Sequence, residues 1–361
     1  MASTNFGVNH PLARKLWSEK LFREALKETW INRVTSDGSD SVIQILRDPQ
    51  KSAGDRVRMG LRMQMTGAGI AGDGTLEGQE EALSFFSDDV TIDQLRHATR
   101  SAGKASEQRV PYDMREEAYE GLRDWWAGRM DESFFNQISG NTGQTDTRFT
   151  GMQATVAPGI ILAGSHDNSI SSLSATTSSD TAGKFHVITY RTIDRAVALA
   201  KTVSPMIRPI RVMGNEYYVA FLHPFSVFQL RRQTSTGEWA DIQKAALQGG
   251  EISENPIFTG AVGVYNNTIL HEAVRLPTAI SAPSAGGGTQ TDFRMGAFCG
   301  AQAGAMAFGV DSDESPNWYE ELFDYGNQLG VAAGMVWGMK KTRFNASDFA
   351  VITLAGYAPQ P

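Results

Sequence analysis

The chain has one cysteine, Cys299, so it cannot form an internal disulfide. That residue lies in Gly296–Gly309, a run rich in glycine and alanine, where a small buried apolar side chain is expected and a reactive thiol is not. Long apolar runs are missing: none approaches the ~20 residues that a membrane-spanning helix needs. No N-terminal stretch joins a charged start to an apolar segment. A secretory signal is therefore not expected, and a reducing cytoplasm or a compartment derived from it is. A surplus of positive charge is absent too. Lys and Arg number 33 against 40 Asp and Glu, a net charge of −7, whereas dedicated nucleic-acid binders usually carry a basic excess. With 41% hydrophobic and 20% charged residues over 361 positions, the chain is an ordinary globular one that is long enough for a sizeable core.

Catalytic spacings are also lacking. The six histidines (His10, His97, His166, His186, His223, His271) form neither HxxxH nor HExxH, so surface or packing roles are expected of them rather than metal ligation. There is no GxSxG elbow. Gly103-Lys104 and Gly183-Lys184 are not followed by the Ser or Thr of a phosphate-binding loop. Glu116-Glu117 and Glu320-Glu321 read as carboxylates on charged helix faces. Gly67-Ala68-Gly69-Ile70-Ala71-Gly72 matches GxGxxG, and Asp88 and Asp89 lie near the spacing of a ribose-binding acid. That fingerprint must open a helix whose amides hold a pyrophosphate, yet Asp73-Gly74-Thr75-Leu76-Glu77-Gly78 follows. A mobile hairpin tip fits better. No catalytic residue, cofactor or metal is expected.

What the chain does have is a two-faced ribbon. Val57, Met59, Leu61, Met63 and Met65 occupy alternate positions, with Arg56, Arg58, Arg62 and Gln64 between them. Period-two alternation gives a strand with one oily and one cationic edge. After the glycine tip the chain turns acidic: Asp73, Glu77, Glu80, Glu81, Asp88, Asp89 and Asp93, without a Lys or Arg among them. A long two-stranded arm is marginal alone in water, so its surfaces ask for a partner, most naturally another copy of the chain.

Residues 1–13 read as a terminal arm, followed by a helix over about Leu16–Thr35 with Phe22, Leu26, Trp30 and Val34 on one face. That helix and the tail before it are rich in Lys and Arg, which fits a solvated face or a surface near nucleic acid or an acidic neighbour. A short strand is predicted at Ser41–Arg47 and a helix at Ile92–Ala102. The longest helix is predicted from Pro111 to Ile138, closed by Gly140, with Tyr112, Tyr119, Leu122, Trp126, Met130 and Phe134 as its packing face. Trp125-Trp126 and Phe134-Phe135 put rings on neighbouring positions. One ring of each pair belongs in the core, and the other in an inter-subunit groove or a wider core. Asn141–Lys184 reads as long loops with a strand near Val156–Leu162. A helix at Thr192–Val203, strands at Arg208–Val212 and Tyr217–Phe221, a helix at Phe225–Arg231, a hairpin through Asn266-Asn267, a linker at 281–291 and long closing strands in Trp318–Gly356 complete the pattern. Strands and helices without a βαβ rhythm imply an α+β architecture.

This order resembles the major capsid proteins of tailed bacteriophages with the Hong Kong-type (Johnson) fold. More narrowly it is similar to those of large-genome podophages that package a virion RNA polymerase. The residues that carry the likeness are Gly54-Asp55-Arg56-Val57, Gly67-Ala68-Gly69, Leu76-Glu77-Gly78-Gln79-Glu80-Glu81 and Ser106-Glu107-Gln108-Arg109. Tyr325-Gly326 through Gly338, Lys340-Lys341-Thr342 and Asp348 extend it. The resemblance implies an N-arm at 1–45, an E-loop at 46–93, a P-domain spine helix at 94–139, an A-domain at 140–310 and P-domain strands at 311–361. It implies a structural, non-enzymatic subunit that self-assembles as pentamers and hexamers in the virion capsid, formed in the host cytoplasm. Expected partners are scaffolding, portal and decoration proteins, and double-stranded DNA held without specificity on the inner face. Arg56, Arg58, Arg62, Glu77, Glu80 and Glu81 would then lie at an interface between copies. Two rivals share parts of this pattern: a cellular nanocompartment shell of the same fold, and a soluble enzyme using the glycine tip for a nucleotide.

Overall fold

The computed structural model describes residues 31, 34–46, 55–62, 65, 67–72, 74–75, 77–111, 113–163, 187–212, 214–232, 261–277, 293–309, 317–358 and 360. The predicted first helix and the linker at 281–291 lie outside these residues almost entirely. At the end of the predicted helix, Thr35–Ser36 is a short strand, β1.

Helix α1 (Met114–Ser139) is the axis of the molecule, with 26 residues spanning ~39 Å. It starts later than Pro111 because Asp113 supplies the cap: its carboxylate accepts a bond from the Arg115 amide at 2.8 Å, with Glu116 and Glu117 in the first turn. Gly140 ends it in the left-handed conformation, φ 68°. Tyr119, Leu122, Trp126, Met130 and Phe134 are all buried. From Met130 to Gly140 every residue except Glu132 is buried, so the helix leaves the surface and finishes inside the protein. Its polar groups there find partners: Asp131 accepts from the Ile31 amide at 3.1 Å, Asn136 donates to Phe149 O at 2.9 Å, and Gln137 to Thr150 O at 2.6 Å.

Two sheets flank this axis. The first contains, in order, β1, β2 (Ile43–Leu46), β12 (Gly304–Phe308), β14 (Gln328–Lys341) and β13 (Asn317–Phe323), with β5 (Asp93–Arg100) also on β14. The helix expected at Ile92–Ala102 is thus a strand. Eight consecutive pairings, from Asp93 opposite Trp337 to Arg100 opposite Gly330, outweigh a local composition that tolerates either form. On β14, Val331, Ala333, Met335, Trp337 and Met339 are buried at alternate positions. Glu320, expected on a helix, sits buried on β13, where it accepts from Arg115 Nε and Trp318 Nε1, both at 2.7 Å, and so ties the start of α1 to the sheet.

The second sheet runs β6 (Ile161–Ala163), β17 (Val351–Tyr357), β11 (Phe293–Cys299), β8 (Asn215–Leu222), β10 (Thr268–Glu272) and β9 (Ala261–Tyr265), with β7 (Ile210–Val212) on β8. Asn266 and Asn267, with φ 43° and 55°, make the tight turn between β9 and β10. Cys299 is buried in β11. Helices α2 (Tyr190–Thr202) and α3 (Pro224–Arg231) complete this side. One continuous apolar core includes residues of α1 and of both sheets. Trp126 meets Trp337 of the first sheet edge-on at 6.5 Å, while Phe134 and Phe135 both meet Phe221 of the second, at 6.0 and 5.8 Å. The paired phenylalanines therefore fill one wide core rather than a core and a groove. Trp125 is partly buried and stacks on His97 at 4.5 Å.

Phe134→Ala should lower the unfolding free energy by about 3–5 kcal/mol, read from chemical denaturation of the purified subunit.

Candidate functional site

A two-stranded ribbon stands apart from both sheets. Its strands, β3 (Arg56–Arg62) and β4 (Phe85–Thr91), pair antiparallel from Arg56 opposite Thr91 to Arg62 opposite Phe85. Exposure alternates as the spacing predicts: Arg56, Arg58 and Arg62 are exposed, while Val57, Met59 and Leu61 are partly covered. The oily edge is covered near the root, where Val90 is fully buried with Ala305 and Ala307, and Leu46, Val57, Met59 and Ile92 pack around them. Farther out the cover ends. Met65, Leu83 and Phe85 are 55%, 50% and 67% exposed.

Charge anchors the root. Asp88 accepts from Lys340 Nζ and, through its other oxygen, from the Arg343 amide at 3.0 Å, and Lys340 also donates to Asp89 O at 3.1 Å. Gly338 lets the chain pass from β4 into β5, since a Cβ there would run into the Thr91 carbonyl and lie 2.9 Å from Thr91 C. Beneath the root, Lys341 Nζ donates to Asp348 at 2.8 Å and Arg343 Nε donates to the same carboxylate at 3.0 Å. The Gly159 amide donates to it as well, at 2.8 Å. The side chains of Lys341 and Asp348 are each only 1% exposed. Burial pushes the Lys341 pKa down, and Asp348 opposes that shift.

Among the predicted interface residues, Arg58 is committed within its own chain. Its Nε and Nη2 fork the Asp89 carboxylate at 2.7 and 3.1 Å, and this bond holds Asp89 below the usual carboxylate range. Glu81 accepts from the Gly67 amide at 2.7 Å and Glu80 from the Gly78 amide at 2.8 Å, so both brace the tip. Glu77 is exposed. A pyrophosphate at Gly67–Gly72 would have to displace the Glu81 carboxylate, and extended backbone rather than a helix follows. Asp88 as the anchor of the root was not visible in the sequence; its partners lie more than 250 residues away, and only the density of charge in Lys340-Lys341 and Asp348 hints at them. Among the described residues no group of three His, Cys, Asp or Glu is placed to hold a metal ion. His223 caps α3, accepting from the Phe225 amide at 3.2 Å, and burial with the nearby Arg294 lowers its pKa to about 4.

A long axial helix between two sheets, with a projecting ribbon rooted in one of them, is the layout of a shell-building subunit. The model of the phage capsid protein family matches residues 5–360, and the chain belongs to that family. It is 28% identical to the major capsid protein of Pseudomonas phage KPP25, over 97% of this chain and 96% of that one. The capsid of Ralstonia phage GP4 superimposes with a TM-score of 0.78 at 32% identity, covering 100% of this chain and 99% of that one. The capsid of Cyanophage Pam1, at 19% identity, shows the same fold with a TM-score of 0.66 over 93% and 94% of the two chains. The protein is a tailed-phage major capsid protein with the α+β capsid fold, and it forms the shell of the phage head.

Asp88→Ala should leave a folded core but free the ribbon, seen as faster proteolytic cleavage within 55–92 at unchanged secondary structure. Acid should act on Arg58–Asp89. A depressed folded-state pKa contributes stability above the unfolded value of ~3.9, and that stability is lost as pH falls through the folded one. Cleavage of the ribbon should therefore quicken only in acid below the usual carboxylate range, and Arg58→Gln should abolish the acid step.

Proposed function

We propose that copies of this chain assemble as pentamers and hexamers into an icosahedral head around double-stranded DNA, and that the ribbon is the element by which each copy overlaps its neighbour. The ribbon carries this reading, because it is rooted firmly and yet presents exposed Met65, Leu83 and Phe85 to solvent. An arm of this kind makes a heterologous contact, which closes into rings when the rotation allows. Exposed ion pairs made by Arg56 or Arg62 would contribute ~0–1 kcal/mol each and set register. Apolar burial over an obligate interface of roughly 2,000 Å² or more would supply the strength.

The division implied is an N-arm at 1–45, an E-loop at 46–93, a spine helix within 94–139, an A-domain at 140–310 and closing P-domain strands at 311–361. The role is mechanical, without catalysis, metal or cofactor. Assembly takes place in the host cytoplasm, with scaffolding, portal and decoration proteins as further partners. The contents would touch the inner face without sequence preference. The net charge of −7 and the exposed Glu116, Glu117, Glu120 and Asp124 on α1 suit a container to which DNA does not stick.

Negative-stain electron microscopy with sedimentation velocity on the purified protein should show shells, tubes or discrete pentamers and hexamers. Arg56→Glu with Arg62→Glu should block them while leaving a folded subunit. A wild-type chain that stays monomeric when concentrated overturns the assembly reading.

A further inference from the structure

Ten large apolar side chains stand exposed among the described residues, and they are not scattered evenly. Four are on the ribbon (Met65, Ile70, Leu83, Phe85). Three more, Tyr319, Leu322 and Tyr325, are on β13 and the turn that joins it to β14. This second group is a built surface. Asp324, Tyr325 and Gly326 all have positive φ, at 52°, 51° and 82°, which thrusts the wholly exposed Tyr325 outward. Asn327 Nδ2 donates to Asp324 at 3.2 Å and tightens the turn, and the Arg100 guanidinium lies 4.2 Å over the Phe323 ring. The sheet order ends at β13, so its outer edge has no strand partner among the described residues. The acids exposed here are Glu321 and Asp324, whereas the cations exposed on the ribbon are Arg56 and Arg62.

Within one copy the two surfaces cannot meet. The ribbon enters the sheet where Asp93 pairs with Trp337, and the β13–β14 turn begins where Phe323 pairs with Gln328. Those points are nine residues apart along β14, ~30 Å at the rise of a strand. An oily, cationic arm at one end of a sheet and an oily, acidic edge at the other form a head-to-tail pair.

We propose that the β13–β14 hairpin, through Tyr319, Glu321, Leu322, Asp324 and Tyr325, is the seat for the ribbon of a neighbouring copy. Leu83 and Phe85 cover its apolar side chains, and Arg56 and Arg62 face its carboxylates. The inference rests on the ribbon joining copies and names the surface it joins.

The test uses the full chain. Leu83→Cys and Tyr325→Cys variants are mixed and oxidised under assembly conditions; the native Cys299 is buried and out of reach. A disulfide-linked heterodimer should form in the assembled material and not between unassembled subunits. In parallel, Glu321→Arg with Asp324→Arg should abolish assembly, and combining it in one chain with Arg56→Glu and Arg62→Glu should restore it. No cross-link, together with normal assembly of the hairpin reversal, overturns the proposed seat and leaves the ribbon reading intact. If reversing the ribbon arginines also leaves assembly untouched, it is the underlying ribbon reading that fails.

Discussion

The constraint on which everything else rests is the insertion of α1 between two sheets that do not otherwise share strands. Trp126 against Trp337 joins the helix to the first sheet, and Phe134 and Phe135 against Phe221 join it to the second. A helix buried on all sides over its last turns must satisfy every polar group it carries. That is why Asp131, Asn136 and Gln137 are each engaged by backbone from a separate segment. The result is one stiff body rather than two halves with a hinge, as a subunit that transmits load through a shell requires.

The ribbon takes its direction from that body. Its root is gripped by an apolar cluster around Val90 and by the Asp88 contacts to Lys340 and Arg343. The buried Lys341–Asp348 pair holds the backbone that makes those contacts. Buried ion pairs are weak evidence for stability, since desolvation offsets much of the attraction. Here the pair serves geometry: Asp348 collects Lys341, Arg343 and the Gly159 amide at one point, which sets where Arg343 presents its amide to Asp88. The tip is different, with Gly69, Gly72 and Gly78 at positive φ and little packed against them. A fixed base and a compliant end let identical chains meet at different angles.

Much of this was legible in the sequence, wherever the signal is local. The alternation of Val57, Met59 and Leu61 with arginines predicted the ribbon, and the spacing of Tyr119, Leu122, Trp126, Met130 and Phe134 predicted the axial helix. The Asn266-Asn267 turn was readable for the same reason. What failed depends on distant partners. β5 looks helical in isolation and becomes a strand because β14 offers eight pairing positions. Glu320 looks like a solvated acid and is buried by Arg115 and Trp318. Arg58 reads as an outward charge, yet it closes on Asp89 across the hairpin, a pairing that only the register of β3 and β4 decides.

The order in which the chain leaves the ribosome has a bearing on this design. β3 and β4 are neighbours in sequence and can pair early, but the residues that clamp their root are Ala305, Ala307, Lys340 and Arg343. The first sheet likewise joins β2 and β5 to strands some 200 or more residues later. Contacts so far apart form late and slowly. The arm therefore acquires its aim only after nearly the whole polypeptide has been made. A nascent subunit cannot engage a neighbour in the correct geometry before its own core is closed, so completion of synthesis acts as a timer on polymerisation.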